Sequence, residues 1–379
     1  GGGGNDTLTG SIGNDVIIGG SGSDLLAGGS GDDTFLIAGT DSGYDRFQGD
    51  AGLDLIQGGA GDDVIHVNNF SGAYTVEKID GGLGNNVLAG TQYNDTIDLS
   101  GTELANIASI DGGLGNDTLT GSVGNDVIIG GTGSDRLAGG SGDDTFLITG
   151  NDTGYDRFQG DAGLDLIQGG AGDDVIRVNN FSGAYTVEKI DGGLGANILA
   201  GTQYNDTIDL SGTELVNIAS IEGGAGNDKL IGSYSSDMLD GGVGHDTLIG
   251  GHGNDTYRFG AGSGADLIQE NDSTVGNTDV LAIAAGIDSS QLWFRHIGND
   301  LEMSIIGTAD KATVKDWYLG TANHVEQFKT TDGAKTLLDS NVQNLVNAMA
   351  AFAPPAAGQS TLPQNYQTAL APVIAANWQ

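Results

Sequence analysis

The sequence contains no cysteine, only four prolines, and 6% aromatic residues in a chain of 379. The missing thiols exclude disulfides, thiolate zinc sites and thiol catalysis, so an extracellular version must be stapled by something else. No run of 18 apolar residues occurs, which excludes a hydrophobic membrane-spanning helix. Positive charge is scarce too: 13 Lys and Arg stand against 51 Asp and Glu, a formal net charge of −38. Such a field repels phosphate backbones and anionic lipid surfaces, so nucleic acid is not a partner. It also opposes compaction by self-repulsion, and with 37% apolar residues a thick layered core is not expected over most of the chain. Left alone in water the chain should be disordered, so something cationic has to compensate if it folds. The opening stretch has no basic n-region and no apolar h-region, so no N-terminal secretion signal is expected from it. The opening "GGGGNDTLTG" falls in the middle of a pattern, as expected for a piece of a longer protein.

What the chain has in excess is glycine, 69 residues of it, and the glycine is periodic. "GGGGNDTLT" (1–9), "GSIGNDVII" (10–18), "GGSGSDLLA" (19–27) and "GGSGDDTFL" (28–36) align without a gap, with Gly fourth, Asp sixth and a large apolar residue eighth. The nonapeptide returns at 49–66, 81–98, 112–147, 160–177, 192–209 and 223–258, and in stretched form at 39–48, 150–159 and 260–269. A longer period of 111 is superimposed: residues 1–111 and 112–222 differ at 12 positions. No sixth-slot Asp is among them. Leu25 becomes Arg136 and His66 becomes Arg177, so the seventh and ninth slots face solvent while the eighth points inward. Each nonapeptide therefore reads as a six-residue turn and a three-residue strand. Two would close a coil of 18 residues, and only stacking of coils could bury Leu8, Ile17, Leu26, Phe35 and their equivalents.

G-G-x-G-x-D-x-U-x resembles the RTX (repeats-in-toxin) nonapeptide, over roughly residues 1–269. The resemblance implies an all-β fold, a right-handed parallel β-roll (β-solenoid), with Ca²⁺ ions in rows between turns, on the order of ten or more. Calcium takes six to eight oxygens in flexible geometry. Glycine-rich turns offer carbonyls and the Asp adds a carboxylate; residues 18 apart lie one coil above another, about 4.8 Å away. The expected pairs are Asp6 with Asp24, Asp15 with Asp33, Asp117 with Asp135, Asp126 with Asp144, Asp228 with Asp246, and Asp237 with Asp255. Rows should extend through Asp45, Asp54 and Asp63, and through Asp156, Asp165 and Asp174. Asn86 and Asn197 take the Asp slot beside Asp95 and Asp206, which should weaken sites there. The interruptions 67–80 and 99–111 should be calcium-free turns with a fuller core from Phe70, Tyr74, Val76, Ile79, Leu104 and Ile107.

These readings divide the chain into roll units 1–111, 112–222 and 223–269, a β cap over 270–338, and a helical tail over 339–379 that is uncharged from Ser340 on. In the cap, "QLWFRHI" and "LEMSIIG" flank the turn Gly298-Asn299-Asp300, and Trp293, Phe294, Ile305, Val314, Trp317 and Phe328 supply a core. It resembles the capping domain that follows RTX arrays; Asp266 and Asp279 could ligate the last ions there. The tail reads both as a helix packed on the cap and, by the resemblance, as a type I secretion signal.

No catalytic constellation emerges. The five histidines (66, 245, 252, 296, 324) form no H-E-x-x-H, and there is no G-x-S-x-G. The expected protein is not an enzyme but a calcium-binding module, secreted or at a bacterial cell surface, exported by type I secretion machinery and folded outside. It would serve as the structural and secretion region of a larger adhesin, matrix or surface-layer-like protein, with self-association or surface attachment. The alternative is the secretion tail of an RTX toxin or enzyme whose active domain lies upstream.

Overall fold

A computed structural model describes residues 1–37, 43–150, 153–182, 186–331 and 335–379. The fold is mostly β, a parallel β-solenoid of about 12 turns. Positions 38–42, 151–152, 183–185 and 332–334, which include Ala38, the starts of two stretched turns and part of the segment that repeats 67–80 one 111-residue period later, lie outside the described residues. The chain divides into two compact units, one of residues 1–178 and 184–195, the other of 179–183 and 196–379.

In the first unit, short parallel strands stack in register so that eighth-slot residues lie over one another. Leu8 pairs with Leu26 and Leu26 with Phe47; on the facing strands Ile17, Phe35, Ile56 and Ile79 follow in line. Beyond them Ile110, Ile128, Phe146, Ile167 and Ile190 form a further line. These side chains are buried, apart from Leu8, which is half-buried. Because only the central residue of each triplet points inward, the core is one side chain deep per strand. Phe35 against Phe47 and Phe146 against Phe158, each 5.6 Å between ring centroids and edge-on, are its thickest points.

The first interruption forms a 3₁₀ turn, Gly72–Tyr74, and a strand, Lys78–Asp80. Phe70, Val76 and Ile79 are buried as expected, whereas Tyr74, Leu104 and Ile107 are only half-buried. The reason at Ile107 is a bulge: Asn86 faces Ile107 but Val87 faces Ser109, and Ile110 takes the inward place.

In the second unit, parallel pairing runs past residue 269. Thr256–Phe259 pairs with Val280–Ile283, which pairs with Gln327–Thr330; Ala265–Ile268 pairs with Lys311–Val314. Leu292–Ile297 and Asp300–Ile305 then form the antiparallel hairpin that Gly298 turns, and the six apolar residues named for its core are all buried. Two α-helices are present among the described residues. α1, Asp339–Met349, buries Val342, Leu345, Val346 and Met349, a helical stripe. α2, Gln364–Asn377, buries Leu370 and Ile374.

Candidate metal centres

Sixth-slot carboxylates are linked from coil to coil. The backbone N–H of one Asp donates to Oδ1 of the Asp above, so the side chains form ladders. In the first unit Asp6 donates to Asp24 (2.7 Å) and Asp24 to Asp45 (2.9 Å). Asp15 donates to Asp33 and Asp33 to Asp54, both at 2.8 Å. A third ladder runs Asp95, Asp117, Asp135, Asp156, at 2.7, 2.7 and 2.9 Å. A fourth runs Asp126, Asp144, Asp165, at 2.8 and 2.9 Å. In the second unit Asp206, Asp228, Asp246 and Asp266 are joined at 2.8, 2.8 and 3.1 Å. Asp237, Asp255 and Asp279 are joined at 2.8 Å each. Asp63 does not extend the first ladder, because Asp45 lies opposite Val67; it donates instead to Asn86 Oδ1 at 2.9 Å. The equivalent Asp174 accepts from Gly170 N–H of its own turn, at 2.9 Å.

The glycines explain themselves here. A Cβ on first-slot Gly112 would lie 2.5 Å from the Gly130 carbonyl oxygen and 2.6 Å from Asp117 Oδ2, so that glycine holds open a cradle of oxygens. The second slot acts through its backbone. Where its φ is positive, as at Gly113 (93°) or Gly140 (103°), its N–H turns away from the carboxylate. Oδ2 of Asp24, Asp33, Asp54, Asp117, Asp144, Asp165, Asp228, Asp246 and Asp255 is then buried with no hydrogen-bond donor among the described residues. Where the second slot is Ser or Thr, its N–H donates to Oδ2 of its own turn. This occurs at Asp15 (2.6 Å), Asp95 (2.6 Å), Asp126 (2.6 Å), Asp206 (2.6 Å) and Asp237 (2.7 Å). All five stand first in their ladders. Asp50 and Asp161, the non-glycine second slots before Asp54 and Asp165, keep the positive φ, at 72° and 69°.

Burial of so many carboxylates has an electrostatic consequence. Loss of solvent lifts Asp117, Asp144, Asp255 and Asp266 from 3.8 to about 7, and Asp228 and Asp279 to about 6. Orphaned anionic oxygens beside a glycine-lined cradle fit a hard divalent cation, which would supply the missing positive charge.

Family models match this pattern. The RTX calcium-binding nonapeptide repeat matches residues 1–35, 40–71, 80–101, 111–146, 149–181, 191–212, 220–248 and 231–265, more than half of the chain. The chain belongs to the RTX haemolysin-type calcium-binding repeat family. Residues 300–335 match the haemolysin-type calcium binding protein related domain. The protein is thus a calcium-binding RTX module, and an RTX solenoid is a structural calcium-binding fold rather than a catalytic one.

Three carboxylates of the RTX ladders escaped the nonapeptide pattern. Glu77, Glu188 and Glu326 close ladders, Oε2 of each accepting the N–H of Asp54, Asp165 and Asp279 at 2.8, 2.8 and 2.7 Å. A signal existed: each stands directly before a strand triplet (Lys78-Ile79-Asp80, Lys189-Ile190-Asp191, Gln327-Phe328-Lys329), which is the sixth slot without the second- and fourth-slot glycines.

Proposed function

We propose that this RTX module is unfolded and exportable where calcium is scarce and condenses outside the cell, as the structural and secretion region of a larger extracellular or surface protein. The observation that carries the reading is the set of nine donorless, buried Oδ2 atoms in carboxylate ladders. Each ladder is a row of calcium sites with its sixth-slot and junction aspartates as ligands; Asp63 and Asp174 add carboxylates beside the rows, and the Asn86 and Asn197 turns are gaps. Ion binding then becomes folding free energy. The near-identical 111-residue units and the cap over the last coils support a spacer role of the adhesin, matrix or surface-layer type. Exposed turn leucines such as Leu53 and Leu164 in fifth slots and Leu83 in a third slot support self-association. The uncharged segment after Asp339 is the type I signal. The test is export: co-expressed with a type I transporter, the full chain should reach the medium and a chain lacking 340–379 should stay inside. Equal export of both would overturn the secretion role.

A further inference from the structure

The most unusual carboxylate in the molecule is outside the repeat pattern. Glu270 follows the strand Ala265–Ile268, is 2% exposed, and its Oε2 meets no hydrogen-bond donor among the described residues. One oxygen of Glu270 lies within 4.8 Å of an oxygen each from Asp255 and Asp279, all three residues being buried. Asp255 Oδ2 is likewise without a donor. Asp279 is held in place from two sides: Oδ1 accepts Asp255 N–H at 2.8 Å and Oδ2 accepts Asn277 Nδ2 at 3.0 Å.

The fourth wall is Tyr257. It occupies the eighth slot, where other repeats carry an aliphatic residue or Phe, between Leu239 and Leu281 in register. Its hydroxyl accepts Gly250 N–H at 2.8 Å and donates to Glu270 Oε1. A tyrosine in that slot makes sense as a means of aiming Glu270, because a hydroxyl buried in a one-residue-deep core needs a partner. With Oε1 so fixed, Oε2 is free to face the two aspartates.

We propose that Glu270, positioned by Tyr257, completes the last divalent-cation site of the Asp237–Asp255–Asp279 ladder as a non-repeat ligand beside Asp255 and Asp279. The other ladder sites take their carboxylates from successive sixth slots alone; this one gains a third from a segment without a nonapeptide. Three carboxylates around one point suit a hard, oxygen-seeking dication such as calcium. The site rests on the calcium-binding function proposed above.

The test counts ions. Full-length protein and Glu270→Gln, which can still accept the Tyr257 hydroxyl, are dialysed against saturating calcium and their bound metal is measured. The site predicts one fewer ion per chain in Glu270→Gln, with the other ladder ions retained. A full wild-type count matched by Glu270→Gln overturns this site alone, whereas a wild type that binds no calcium overturns the proposed function as well. Should Glu270→Gln fail to fold, Tyr257→Phe in terbium supplies the answer. Tyrosine-sensitised terbium emission should drop while the ion count stays the same, and unchanged emission would count against the site.

Discussion

Gly112→Ala isolates the oxygen cradle from everything else in the turn. The φ of Gly112 is not in the left-handed region, so alanine adds no backbone strain; its Cβ would meet the Gly130 carbonyl at 2.5 Å and Asp117 Oδ2 at 2.6 Å. Two effects follow. Steric crowding destabilises the coil by about 1–3 kcal/mol at any calcium concentration. Closing the cradle also removes an ion. With Kd of about 10⁻⁴–10⁻³ M, an ion at about 10 mM calcium contributes roughly 1.4–2.7 kcal/mol. Only the second effect changes with calcium. Urea unfolding followed by far-ultraviolet circular dichroism, at several calcium concentrations, separates them through the slope of stability against log calcium. Each coupled ion adds about 1.4 kcal/mol per tenfold, so the slope should fall by that amount. Gly124→Ala is the control, since its Cβ would meet only Ser122 Oγ, at 3.7 Å. A Gly112→Ala protein with lower stability but the wild-type slope would refute the cradle.

In chelator, acid should partly replace calcium. Carboxylates such as Asp117 and Asp144 are raised by burial from 3.8 to about 7, so the folded state holds more protons between those values. Stability of the calcium-free roll is then greatest near pH 4 and falls as pH rises through about 7, by up to about 1.4 kcal/mol per pH unit for each such group; β content in chelator measured against pH checks the sign. At the lowest calcium concentration that folds the wild type, Asn86→Asp should weaken the first unit by about 1–3 kcal/mol, because Asn86 is fully buried and its Nδ2 donates to the Asn106 carbonyl at 2.9 Å. Urea denaturation of both proteins would show it. Phe146→Ala, a fully buried ring edge-on to Phe158, should cost about 3–5 kcal/mol, readable as a lower urea midpoint in calcium.

The repeat made much of this fold legible because one slot has one job. Eighth-slot residues such as Phe35, Ile128 and Leu248 are buried, and sixth-slot aspartates stack where an 18-residue coil puts them. Row endings were less legible, since they depend on how many residues an interruption adds to a coil. Segment 67–80 places Asp45 opposite Val67 and leaves Asp63 with Asn86, a shift that spacing alone does not reveal. The closing glutamates were hidden because Glu77 keeps the sixth slot while Ala73 and Thr75 replace the second- and fourth-slot glycines and Glu replaces Asp. The bulge before Ser109 likewise exchanged Ile110 for Ile107 in the core. Glu270 had no signal in the nonapeptide, as its neighbours Asp255, Tyr257 and Asp279 come from other coils.

The central claim is that calcium, not apolar burial alone, holds the coils together. The direct measurement is far-ultraviolet circular dichroism of the full chain at neutral pH, in chelator and in millimolar calcium, with bound ions counted in parallel. The account predicts coil in chelator and β structure in calcium, the change rising together with ions bound. The same β spectrum in both conditions would contradict it.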